Sequence, residues 1–208
     1  MGVRSASHYG WVVTGILALA LVLGGWFWWT PGVPRLVSGA LLEKPRPLRD
    51  FSLRAESGAP FTLEELRGHW TVIFAGYTHC PDVCPLTLAQ LKQAKARLGT
   101  ASEGLRVLFL SVDPERDTSE GLANYVRHFD PDFRAATGTR PQLETLAYQL
   151  GIVFLKAPNS QGEGYTIDHS AELVLIDPQG RLAGYLLPPF SPEGLAADLA
   201  TVLGRRAR

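Results

Sequence analysis

Apolar residues recur along this chain with two different periods. Trp70 to Gly76 is an apolar run that reads as a buried strand. Leu88, Leu91, Ala94 and Leu98 then fall at helical spacing between Pro85 and Leu98, and Gly99 supplies the stop. Pro85 suits the first helical position, where a missing N–H costs nothing. Leu105 to Val112 is the next buried strand, ending at the polar turn Asp113 to Thr118. Ser119 to Phe129 reads as a helix, Phe133 to Thr137 as a short strand, and Pro141 to Leu150 as a helix closed by Gly151. Ile152 to Leu155 is short and apolar, and Ala157 to Gly164 reads as a surface loop. Glu172 to Ile176 and Leu182 to Leu187 are strands joined by Asp177-Pro178-Gln179-Gly180, a hairpin turn. A last helix opens at Ser191-Pro192-Glu193 and runs to Gly204. Upstream, Phe51 to Leu53 and Phe61 flank the turn Ser57 to Pro60, another hairpin, and Thr62 with Glu65 can cap a short helix. Alternating strands and helices followed by a hairpin and a helix predict an α/β domain, a mixed central sheet flanked by helices on both faces.

The amino-terminal quarter follows neither period. After a short tail, residues 1–10, the run Trp11 to Trp29 carries 19 residues without a charge. As a helix it would span about 28 Å, close to the ~30 Å of a bilayer core. Trp26, Phe27, Trp28 and Trp29 would then sit at the interface. The run is apolar on every face, longer than the core of a signal peptide, and lacks a nearby small-x-small cleavage site. It is therefore expected to be a transmembrane anchor, residues 11–29. A positive-inside count, with Arg35, Lys44, Arg46 and Arg49 after the run and Arg4 before it, argues weakly against export of the domain. Residues 30–50 hold Pro31, Pro34, Pro45 and Pro47 and are expected to form an extended linker, with the soluble domain at 51–208.

Composition removes some classes of function. Twenty Lys and Arg balance twenty Asp and Glu, so no basic surface argues for nucleic acid. The two cysteines, Cys80 and Cys84, lie in one stretch, Tyr77-Thr78-His79-Cys80-Pro81-Asp82-Val83-Cys84-Pro85, at a strand-to-helix turn. That usage points to redox or metal chemistry rather than to stapling. The positive end of a helix favours thiolate over thiol. Positions four apart on a helical turn share a face, so both sulfurs can meet one soft cation or each other. A cysteine pair after a strand in a β-α-β unit suggests a thioredoxin-like fold, although three residues rather than two separate these sulfurs.

A structural zinc wants four protein ligands and an iron–sulfur cluster four cysteines or a close variant. Two thiolates with one histidine instead suit copper at low coordination number. His8 precedes the anchor, His69 stands before the central strand, and His128 lies near the end of a helix. His79 adjoins Cys80, but neighbours on an extended chain point to opposite faces. His169 lies in the polar stretch Tyr165 to Ser170, between a loop and a buried strand. The residues alone narrow the third ligand to His169 or His79.

Phe74-Ala75-Gly76-Tyr77-Thr78-His79-Cys80-Pro81-Asp82-Val83-Cys84-Pro85 closely resembles the signature of the SCO/SenC family. Ser111 to Thr118 and Asp168-His169-Ser170-Ala171 with Leu175-Ile176-Asp177 resemble its second and third motifs, in order, over about Phe51 to Gly204. The resemblance implies a thioredoxin-like fold with a copper site, Cu(I) or Cu(II), of Cys80, Cys84 and His169. It also places Asp113 and Asp117 near the metal; read without it, they form a turn and a helix cap. It implies a membrane-anchored metallochaperone for the binuclear copper centre of cytochrome c oxidase. The partners it implies are the oxidase's copper-bearing subunit and other copper chaperones. The expected location is a bacterial inner membrane, crossed once, with the domain on the periplasmic side. Copper binding would release protons from the thiols, and a Cys80–Cys84 disulfide would abolish the site. The alternative is a thiol-disulfide oxidoreductase that reduces a partner's copper-binding cysteines, which needs no His169. A peroxidase fits less well, because that chemistry wants a different Thr–Cys spacing, and redox sensing through partners is a fourth reading.

Overall fold

Side chains on a strand alternate between faces, and in the central strands both faces are apolar, which dictates a sheet buried on two sides. The structure, a computed structural model, describes residues 11–21, 34–159 and 164–204. Strand β4 (Trp70–Gly76) is buried throughout. It sends Trp70, Val72 and Phe74 into one core and Ile73 and Ala75 into the other. Strand β5 (Leu105–Ser111) repeats the division, with Val107 and Phe109 on the first side and Leu108 and Leu110 on the second. The two pair in parallel, Trp70 opposite Leu105 through Gly76 opposite Ser111.

Around this pair are β1 (Gly39–Pro47), β2 (Ser52–Ala55), β3 (Pro60–Thr62), β6 (Arg134–Thr137), β9 (Leu173–Ile176) and β10 (Arg181–Leu186). The eight-stranded order is β1-β10-β9-β4-β5-β6-β2-β3. Only β4-β5-β6 run parallel; the other pairs are antiparallel. Helices α2 (Val83–Leu98), α3 (Ser119–Phe129) and α5 (Pro192–Leu203) line the first core through Leu88, Leu122 and Leu195. Helix α4 (Arg140–Leu150) covers the other side through Leu143, Leu146 and Leu150. Each such leucine, removed from water, contributes roughly 1.5–3 kcal/mol. Strands β7 (Phe154–Pro158) and β8 (Tyr165–His169) form a separate antiparallel hairpin.

Three expectations need correction. The segment expected to be a linker, 30–50, contains β1, paired with β10 from Gly39 opposite Leu186 to Pro47 opposite Arg181. Its Pro45 and Pro47 are tolerated because it lies at the sheet edge, where a missing N–H breaks no second ladder. Leu41 and Leu48 are buried, and Asp198 on α5 accepts from the backbone of Val37 (2.5 Å) and Ser38 (2.8 Å). The folded unit thus includes residues well before Phe51. Second, α2 begins two residues before Pro85, which still occupies the first turn, where its missing N–H has no helical partner. Third, the expected loop Ala157 to Gly164 starts within β7, which ends with Ala157 and Pro158, and the polar stretch that carries His169 is strand β8 rather than loop; residues 160–163 lie outside the described residues.

Of the expected anchor, residues 11–21 are helical (α1) with exposed apolar side chains. Residues 22–29, like the tail 1–10, lie outside the described residues. Among the described residues no helix is long and apolar enough to cross a membrane.

Candidate metal centre

Three elements deliver one ligand each. Strand β4 ends at Gly76, and the chain then turns, Cys80 N–H donating to the Tyr77 carbonyl at 3.2 Å. This turn carries Cys80 over the start of α2, where Cys84 is the second helical residue. The sulfurs therefore do not share a helix face; Cys80 lies before the helix, whose N-cap is Asp82 and whose first turn holds Cys84. The Cys84 N–H, one of the orphan donors of that helix end, lies 3.4 Å from Cys80 Sγ. Gly76 is obligatory here: a β-carbon would sit 2.6 Å from the Phe109 ring and 2.8 Å from Cys84 Sγ.

His169 ends β8, opposite Phe154. Its Nδ1 lies 2.9 Å from the Ser170 carbonyl, which favours a proton on Nδ1 and leaves Nε2 with a lone pair. Nε2 points at Cys84 Sγ, 3.4 Å away. Phe74 and Tyr77 meet the imidazole edge-on, with centroids 6.0 and 6.1 Å distant. Ser170 is pinned in turn: its N–H donates to the Val153 carbonyl at 2.9 Å, and its hydroxyl accepts from Val153 N–H at 3.0 Å.

The sulfurs of Cys80 and Cys84 and one ring nitrogen of His169 all lie within 4.8 Å of one another. A three-coordinate ion with bonds of about 2.0–2.3 Å holds its ligand atoms roughly 3.7–4.0 Å apart, so the triad spans one ion after a contraction of about 1 Å or less. Two sulfurs and one imidazole form a soft donor set, too few for structural zinc and suited to Cu(I).

The two thiols ionise in a fixed order. The Cys84 thiol donates to Cys80 and stabilises its thiolate; burial opposes this, and His169 and the N–H groups of Cys84 and Asp82 add to it. Cys80 is held at about 4, far below an ordinary thiol. The same hydrogen bond, with burial, pushes the Cys84 thiol up. Burial alone would lower His169, but the Cys80 thiolate and the Ser170 carbonyl outweigh it and raise the imidazole. The resting site is therefore a Cys80 thiolate beside the protonated Cys84 thiol, and a soft cation displaces that proton.

His79 does not join the triad. Its ring is largely exposed and turns to Thr78 Oγ1 at 3.0 Å. His128 is exposed on α3, edge-on to Phe129, and His69 lies before β4, away from the cysteine turn. Asp113 and Asp117 are each 2% exposed and are not among the clustered ligands. Asp117 accepts from Thr78 N–H (3.1 Å), Thr78 Oγ1 (2.6 Å) and Ser111 Oγ (2.6 Å). Asp113 accepts from Tyr165 Oη (2.8 Å) and pairs with Arg116. Sequence reasoning missed Tyr165 and Arg116, whose contacts join segments about 50 residues apart.

The SCO1/SenC family profile matches residues 40–204. A Stutzerimonas stutzeri protein named for copper binding is 34% identical over 164 residues, covering 78% of this chain and 80% of that one. The human mitochondrial SCO1 homolog is 37% identical over 162 residues, 77% of this chain. Those residues are 54% of the human protein, so the chain spans about half of that relative's length. The copper-bound structure of Bradyrhizobium japonicum ScoI superposes with a TM-score of 0.67 at 35% identity, covering 75% of this chain and 99% of that one. The likeness runs through all three segments that supply the cysteines and the histidine, and this chain belongs to the SCO1/SenC family.

Proposed function

We propose that this protein binds one copper ion through Cys80, Cys84 and His169 and acts as a metallochaperone in assembling the binuclear copper centre of cytochrome c oxidase. The observation that carries the reading is the convergence of two sulfurs and one imidazole within 4.8 Å, from segments 85 residues apart. Copper bound to the homologous B. japonicum protein supports it. Bound copper would be cargo, and what the chain supplies is a site that opens and closes. With both cysteines reduced the donor set is complete, while a Cys80–Cys84 disulfide removes two of three donors. His169, held by the Ser170 carbonyl, presents Nε2 without needing to change tautomer.

The uncharged run 11–29 supports an anchor that tethers the domain outside a bacterial inner membrane. There the copper-bearing subunit of the oxidase would receive the metal, and other copper chaperones would supply it. A second reading has its own observation. A Cys80 thiolate held at about 4 beside a protonated partner thiol is equipped for thiol-disulfide exchange with that subunit's cysteines. The two readings part at His169, which metal delivery needs and exchange does not. In cells whose own copy is deleted, His169→Ala should fail to restore the oxidase copper centre, as should Cys84→Ser. Full restoration by His169→Ala would leave thiol exchange as the function.

A further inference from the structure

The segment from the last residue of β5 onward, Ser111 to Thr118, touches both halves of the metal site. On the cysteine side, the buried Asp117 carboxylate accepts from both the N–H and the hydroxyl of Thr78, two residues before Cys80, and from Ser111 Oγ. Val112 N–H also donates to the Gly76 carbonyl at 2.9 Å. On the histidine side, three residues of the same segment grip the β7–β8 hairpin. Asp113 accepts from Tyr165 Oη at 2.8 Å. Arg116 Nη1 donates to the Tyr165 carbonyl at 3.1 Å, and its guanidinium lies 3.7 Å from the centre of the Tyr165 ring. Glu115 holds Lys156 Nζ at 2.6 Å, and that ammonium also lies 3.7 Å from the ring centre. Tyr165 is thus fixed at its hydroxyl, its carbonyl and its ring, four residues before His169 on the same strand.

We propose that Ser111–Thr118 is a positioning strap that sets the separation of the cysteine pair from His169, Asp117 fixing the first and Asp113 with Arg116 fixing the second through Tyr165. None of these residues needs to touch the metal. The hairpin pairs with no strand of the main sheet, so no ladder ties it to the cysteine turn, and a charged, ring-clasping set confines one side chain where a lone hydrogen bond would not. Ligand atoms must reach their places within fractions of an ångström to bind tightly, so loosening either grip should weaken copper binding in its own way.

The inference rests on the copper site proposed above, and the test separates the two. The purified full chain, reduced, is titrated with Cu(I) against a chromogenic chelator, and Cys80 alkylation is timed without metal. Tyr165→Phe keeps the ring and loses the hydroxyl; Arg116→Lys keeps the charge and loses the fork. Both should bind Cu(I) about ten-fold more weakly, and Tyr165→Phe should alkylate at the wild-type rate; the Arg116 guanidinium also lies 5.4 Å from the centre of the Tyr77 ring, so only Tyr165→Phe separates the two grips. Asp117→Asn should alter both readouts. His169→Ala is the control for the site: if it binds Cu(I) as tightly as wild type, the copper site itself is misassigned. If His169→Ala weakens binding but Tyr165→Phe and Arg116→Lys do not, the strap is wrong. It is also wrong if Tyr165→Phe changes alkylation as much as affinity, since the two grips would not then be separate.

Discussion

Cys80 and Cys84 have the same side chain and opposite chemistry, and the difference comes from where each sulfur sits. Cys80 receives an N–H and a thiol hydrogen bond; Cys84 is fully buried and gives one. Since the thiolate is the nucleophile, alkylation at Cys80 should stay near its maximal rate from neutral pH down to about pH 5. It should fall only as protonation near pH 4 removes the thiolate. Cys84 should stay unlabelled over that range, its thiol held up by burial and by its bond to Cys80. Mass spectrometry of iodoacetamide-treated protein reads both; a Cys80 midpoint near 8 would contradict the account. Gly76 is equally local. Gly76→Ala drives a methyl into Phe109 and Cys84 Sγ, so urea unfolding should show a loss of about 1–3 kcal/mol, with weakened metal binding. At this scale the sequence was legible for the sulfurs, because two cysteines in one motif have few other readings. It was less so for the imidazole: residues alone left His79 and His169 open, since neither spacing nor burial could show which ring faced inward.

The elements that sequence reasoning placed well are those whose burial leaves a period. Both faces of β4 and β5 are apolar, and α2 buries Cys84, Leu88, Leu91 and Ala94 at three- and four-residue steps. Strand β1 leaves no such trace. Of its nine residues only Leu41 is buried, its register shifts between Leu41 and Arg46, and two prolines lie within it. What holds it is remote: Asp198, 1% exposed on α5, accepts from the Val37 and Ser38 N–H groups. Asp198→Ala should therefore cost about 2–3 kcal/mol, given the charged acceptor. It should speed amide exchange of residues 37–41 more than that of β4, and leave Cu(I) affinity unchanged. Equal protection before and after substitution would show that the β10 ladder alone holds this edge. Strand β8 is obscure for the same reason as β1. Only Ile167 of its five residues is buried, so the polar pattern reads as a loop although the backbone is extended and paired.

Across the whole molecule, the mixed sheet brings ligands from the end of β4, the start of α2 and the end of β8 to one place. That convergence was out of reach of pattern reading, because it depends on a hairpin that is not part of the main sheet. Only likeness to a family pointed to it. The uncharged run 11–29 extends past the described helix at residues 11–21, and its role is a matter for fractionation. Full-length protein should sediment with membranes and resist carbonate extraction, whereas a chain lacking residues 1–33 should stay soluble; release of the intact chain by carbonate would remove the anchor. Copper content and the absorption spectrum of the full chain should be measured with the cysteines reduced, with the Cys80–Cys84 disulfide formed, and in reduced His169→Ala. The expected result is one copper per reduced chain, none retained by the disulfide form, and weaker binding with a changed spectrum in His169→Ala. Equal copper and an unchanged spectrum in all three would contradict it.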